Sequence, residues 1–68
     1  MAGLKFRDAD EIGFQLNEEF PDTNPLSVNF TDLLRRVVEL EGFDDDPAQS
    51  SEPLLEAIQM AWLGYFEG

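Results

Sequence analysis

Apolar positions recur every three to four residues over three stretches of this chain, and each stretch is preceded by a residue suited to start a helix. In the first, Ile12, Leu16 and Phe20 stand at i, i+4 and i+8, which puts them on one helical face. Asp8 precedes the stripe with Glu11 three positions on, an acidic relative of the capping box, and Pro21 closes the segment. Phe14 lies off the stripe, either as a second contact edge or as a surface aromatic. Glu11, Gln15, Glu18 and Asp22 share another face. Like charges at i,i+4, such as Glu18 and Asp22, cost an isolated helix a few tenths of a kcal/mol, so this face is either simply solvated or kept for a use.

Residues 21–30 carry Pro21 and Pro25 and read as a connection, with Asn24-Pro25 initiating a turn. Val28-Asn29-Phe30 alternates apolar, polar, apolar and predicts a short strand pairing with Leu4-Lys5-Phe6. Thr31 is placed to cap a second helix over roughly 32–41, with Asp32 in its first turn and Leu33, Leu34, Val37, Val38 and Leu40 on its buried side. Asp32 and Arg36 stand at i,i+4, acid first, and Gly42 falls where a left-handed residue ends a helix. After the loop Phe43–Ser50, Ser51 caps a third helix that tolerates Pro53 in its first turn. Its core face is Leu55, Ile58, Trp62 and Tyr65 or Phe66; Ala57 and Ala61 let another helix approach closely. The fold class expected is mainly α: a three-helix, helix-turn-helix or winged-helix-like small domain over residues 1–68, with a minimal two-stranded β element.

Composition narrows the chemistry. Fifteen acids against four bases give a formal charge of −11, and there is no histidine and no cysteine. That excludes disulfides, thiolate or imidazole metal ligands, a cysteine nucleophile and a Ser-His-Asp relay. A chain of this length buries only ~60% of the surface its unfolded form exposes and can hardly wall a cleft for a working carboxylate pair, so no enzyme is expected. Four scattered bases cannot displace phosphate counterions, and the negative field disfavours nucleic acid and anionic membranes alike. The favoured partners are cations: a basic patch on another protein, or metal ions. Acidity that serves solubility alone is the plain alternative. No apolar run spans a membrane or forms a signal segment, which predicts a soluble, cytoplasmic monomer.

The run Asp44-Asp45-Asp46 invites comparison with a calcium loop. Counted from Asp44, the fifth position is Ala48, the sixth Gln49 and the twelfth Leu55, so the EF-hand pattern fails. What the spacing supports is a shallow all-oxygen site, weak and unselective toward Fe³⁺, Mg²⁺, Ca²⁺, Mn²⁺ and, marginally, Fe²⁺, or else an acidic turn that water solvates.

Taken together, Phe30-Thr31-Asp32-Leu33, Leu40-Glu41-Gly42-Phe43-Asp44-Asp45-Asp46-Pro47, Ser51-Glu52, Leu55-Glu56-Ala57-Ile58-Gln59 and Ala61-Trp62 resemble the IscX (YfhJ) family of iron–sulfur cluster assembly proteins. Leu4, Phe6, Asp8, Ile12-Gly13, Leu16, Pro21 and Pro25 extend the resemblance over nearly the whole chain. The resemblance implies a small helical, winged-helix-like fold that binds a cysteine desulfurase, binds iron (Fe²⁺ or Fe³⁺) weakly through carboxylates, and acts as an adaptor or iron-dependent regulator. Carried over by position, it implies iron or desulfurase contacts from Asp8, Glu11, Glu41, Asp44, Asp45 and Asp46. Glu18, Glu19, Asp22, Asp32 and Glu52 are the further candidates for partner binding, Asp32 and Glu52 also having plain helix N-terminal explanations. The chain departs from the family where it has Leu34 and Arg36 in place of the usual His and Trp, and Ser51 in place of the Asn of Ser-Asn-Glu. The rival functions are an iron donor to the cluster scaffold protein, and an acidic module that binds a basic protein without metal.

Overall fold

In the computed structural model, which describes residues 3–68, three α-helices carry the chain: α1 (Ala9–Glu19), α2 (Phe30–Val38) and α3 (Glu52–Glu67). Short 3₁₀ turns at Pro25–Ser27 and Pro47–Gln49 precede α2 and α3. The mainly helical, three-helix expectation is met. Among the described residues no helix is long and apolar enough to cross a membrane.

α1 lies chiefly against α3, which also receives the Pro25–Ser27 turn and α2. Ile12 and Leu16 from α1, Leu33 and Val37 from α2, and Leu55, Ile58 and Trp62 from α3 are buried together with Phe6, Val28 and Leu40. No polar or charged residue is buried among them. Gly13 sets the closeness of α1 and α3: a Cβ there would lie 2.6 Å from Trp62 N and 2.8 Å from Ala61 Cβ. Ala61 thus serves the close approach expected of it, whereas Ala57 is exposed. Trp62 is a fully buried anchor, with its ring 6.4 Å from that of Phe20.

Several local expectations are corrected. Val28-Asn29-Phe30 forms no strand, because Phe30 already begins α2 and the Asn29 side chain accepts from Asp32 N–H at 2.8 Å. The Val28 carbonyl instead faces Gln59 Nε2, which donates at 3.5 Å and also reaches the Pro25 carbonyl at 3.0 Å. Leu4 pairs with Phe43, in a single parallel bridge. A wing needs a hairpin, and among the described residues this isolated bridge is the only pairing. Asn29 rather than Thr31 therefore caps α2, which runs 30–38 rather than 32–41. Gly42 is left-handed (φ +87°) as expected, but as the third residue of a turn closed by Phe43 N–H onto the Leu40 carbonyl at 3.1 Å. α2 and α3 are consequently joined by a long loop, residues 39–51, not by a short helix-turn-helix turn.

Asp8 stands at the N-cap of α1 but its side chain makes no cap bond, because its ψ of 53° is not the extended geometry that aims a cap inward. The carboxylate turns back and accepts from Lys5 N–H at 2.9 Å. Phe20 is the C-cap of α1, and Asp22 lies in the turn beyond, so the Glu18–Asp22 pair is not a helical one. The residue before a proline is steered out of the α region, which explains the early stop. Ser51 caps α3 as expected, its Oγ accepting from Leu54 N–H at 3.4 Å.

Candidate functional site: the acidic loop and its N-terminal brace

The three consecutive aspartates sit in the loop between α2 and α3, braced by the N-terminal segment. Leu4 N–H donates to the Gly42 carbonyl and Asp44 N–H to the Leu4 carbonyl, both at 2.8 Å. Phe43 packs edge-on against buried Phe6, ring centres 5.0 Å apart. With backbone and aromatic contacts holding the loop base, the three carboxylates take separate roles. Asp44 is exposed, its side chain at 77%, and its Oδ2 lies 3.6 Å from Lys5 Nζ. Lys5 Nζ also donates to the Asp44 carbonyl. Asp45 turns inward and accepts from Phe6 N–H at 3.1 Å and, through its other oxygen, from Asp46 N–H at 2.8 Å. Asp46 caps the following 3₁₀ turn, accepting from Ala48 N–H at 2.9 Å.

The Phe6 N–H is the main reason the Asp45 carboxyl is held below its ordinary value. The Asp46 N–H and the charges of Lys5 and Arg7 add to the effect, against a partial desolvation that opposes it. Asp8 and Asp45 therefore accept from successive backbone donors, Lys5 and Phe6, which draws helix α1 and the acidic loop to one segment. Glu11, one turn along α1, is exposed, as is Glu41 in the turn that enters the loop.

The remaining candidates lie elsewhere. Glu18 and Glu19 are exposed at the far end of α1, about 15 Å along the axis from Asp8 at 1.5 Å per residue, and Asp22 is exposed in the turn beyond. Glu52 is exposed in the first turn of α3. Asp32 is engaged within α2, paired with Arg35 and with Arg36 Nε at 3.7 Å. Arg36 also covers Phe20, its guanidinium 4.4 Å from the ring centre, an intramolecular cation–π contact.

Six candidate metal ligands do not make one chelating pocket. Among the described residues no three acidic side chains converge closely enough to hold a metal ion. Asp45 and Asp46 already spend oxygen lone pairs on backbone donors. The all-oxygen donor set fits a loosely held cation that keeps most of its water, with Asp44, Asp45 and Asp46 as the donors adjacent in the chain.

One cluster escaped the sequence reading. Tyr65 Oη donates to Asp10 Oδ2 at 3.0 Å, and this bond raises the phenol above its ordinary value. The Tyr65 ring meets Phe14 edge-on with centres 5.4 Å apart. Phe14 is thus a second contact edge of α1. The signal was its place one turn after Asp10, opposite the aromatic end of α3.

The sequence profile of a family described as iron–sulphur cluster assembly matches residues 4–67. An uncharacterized protein of Pseudomonas aeruginosa is 55% identical over 60 residues, covering 88% of this chain and 91% of that one.

Proposed function

The chain belongs to the iron–sulphur cluster assembly family, that of IscX (YfhJ), and from this premise we propose that it is a noncatalytic adaptor that docks its acidic surface on a basic face of a cysteine desulfurase. It holds iron weakly through carboxylates, as cargo or effector, and so couples metal availability to sulfur transfer in the cytoplasm. Family membership gives the role in cluster assembly; the adaptor mechanism is a reading of the charge.

The observation that carries it is the imbalance of ion pairing. Of fifteen acids, only Asp32 and Asp44 make ion pairs among the described residues. The other carboxylates face solvent or neutral donors, Asp10 accepting from the Tyr65 hydroxyl, and this leaves a strong negative field able to steer a basic partner and to weaken with salt. Bond-making is disfavoured by the same environment. General acids and bases are tuned by burial, yet among the described residues no charged side chain is buried, and the Asp45 carboxyl is held downward by the Phe6 N–H. A cation at Asp44–Asp46 would offset local repulsion and change the field that the partner meets.

The test is titration of a purified cysteine desulfurase with this protein at low salt, with and without Fe²⁺, following complex formation and sulfide release. Saturable binding and an Fe²⁺-dependent change in rate are expected; absence of binding at low salt overturns the proposal. Replacing Asp44, Asp45 and Asp46 together by Asn separates the adaptor from an iron donor. The adaptor retains measurable enzyme binding when iron affinity falls, whereas a donor loses its activity with the metal.

A further inference from the structure

Among the described residues, three of the four exposed large hydrophobic side chains gather at the seam of α1 and α3: Phe14 at 41%, Met60 at 57% and Tyr65 at 39%. The fourth, Leu26, is in the Pro25–Ser27 turn. The gathering has a structural cause. Gly13 brings α1 onto the α3 backbone at Ala61 and Trp62, so the Asp10–Phe14 row on one helix lies beside the Met60–Gly64 and Ala61–Tyr65 rows on the other. Asp10, Met60, Ala61, Gly64 and Tyr65 line an open trough there. Tyr65 is fixed at its edge by the bond to Asp10 and the edge-on contact with Phe14.

An exposed apolar patch with a polar rim is the usual mark of a protein-binding site, and Tyr and Met are enriched in such sites. Charge selects the occupant. The rim here is anionic, with the Asp10 carboxylate on the Tyr65 hydroxyl and the exposed Glu11 next to Asp10 in the chain. A second copy of the chain would bring another −11 against this rim. We propose that the α1–α3 seam is a docking trough for a basic segment of the partner protein, in which Phe14, Met60 and Tyr65 receive aliphatic stems and Asp10 and Glu11 receive Arg or Lys head groups. Arginine and lysine side chains match this surface twice over, by charge at the rim and by stem or cation–π contact on the rings. The desulfurase is taken as that partner, so the proposal rests on the function above and adds the apolar centre that the acidic loop lacks.

Binding of the desulfurase to the wild type, Phe14→Ser, Met60→Gln and the control Leu26→Gln at fixed low salt tests the assignment. Met60 and Leu26 are both more than half exposed, so the Gln variants keep the core intact, and Met60→Gln decides the matter if Phe14→Ser folds poorly. Loss of about tenfold in affinity is expected for Phe14→Ser and Met60→Gln, with Leu26→Gln within about twofold of wild type. Wild-type binding with Met60→Gln equal to Leu26→Gln overturns the trough and leaves the acidic-adaptor reading standing. Failure of the wild type itself to bind removes both.

Discussion

Asp44, Asp45 and Asp46 are chemically alike and adjacent, yet each is held by a different partner: Lys5, the Phe6 N–H and the Ala48 N–H. Asp45 does the bracing. Its carboxyl is held below the ordinary value of 3.8 in the folded protein, so the stabilisation it gives is present at neutral pH and lost as pH falls through the folded value. Asp45→Ala is expected to lower Tm at neutral pH, with the gap from wild type closing as pH drops below 3.8. Circular-dichroism melts across that range check it; a gap that does not change with pH contradicts the assignment. The sequence marks this loop as acidic but cannot divide its roles, because the deciding donor is 39 residues away. Arg36 is similar: its i,i+4 acid, Asp32, was legible, while its place over Phe20 was not.

At the scale of elements, the three helices follow from apolar periodicity and caps, and Ser51 and Pro53 mark the start of α3 as read. The misplaced boundaries arise where two good capping residues compete. Asn29 wins over Thr31 because capping two residues earlier lets Phe30 join α2 and pack against the core. Asn29→Ala is therefore expected to cost about 1 kcal/mol of stability and Thr31→Ala less than about 0.5 kcal/mol, read from urea denaturation; equal losses contradict the cap. The α1–α3 contact gives a second prediction. On helix propensity alone, Gly13→Ala gains up to about 1 kcal/mol, but the added methyl meets the α3 backbone and cannot be relieved by a rotamer change. A net loss of about 2 kcal/mol is expected there, with a gain at Gly64→Ala, where the space is open. Stabilisation by both substitutions would show the helices farther apart than described. The strand pairing was misread for want of context: alternation in Val28-Asn29-Phe30 suits a strand, but nothing local shows that Gln59 takes the Val28 and Pro25 carbonyls.

For the whole molecule, the charge of −11 was legible from the start, and the structure adds that very little of it is neutralised internally. The acids are not gathered into one pocket. Asp8, Asp44 and Asp45 meet around Lys5 and Phe6, while Glu18, Glu19 and Asp22 stand at the other end of α1. Such an arrangement suits an extended electrostatic contact better than a chelate, and it places the apolar seam of α1 and α3 alongside the Asp10–Glu11 end of the charged surface. The proposed function is docking of this surface on a basic face of a cysteine desulfurase. Its most direct test is an NMR titration of isotope-labelled protein with the desulfurase, first at low and then at raised ionic strength. A saturable footprint is expected over the acidic loop and the exposed side of α1, weakening steeply as salt screens the charges. No footprint at low salt, or one indifferent to salt, contradicts it.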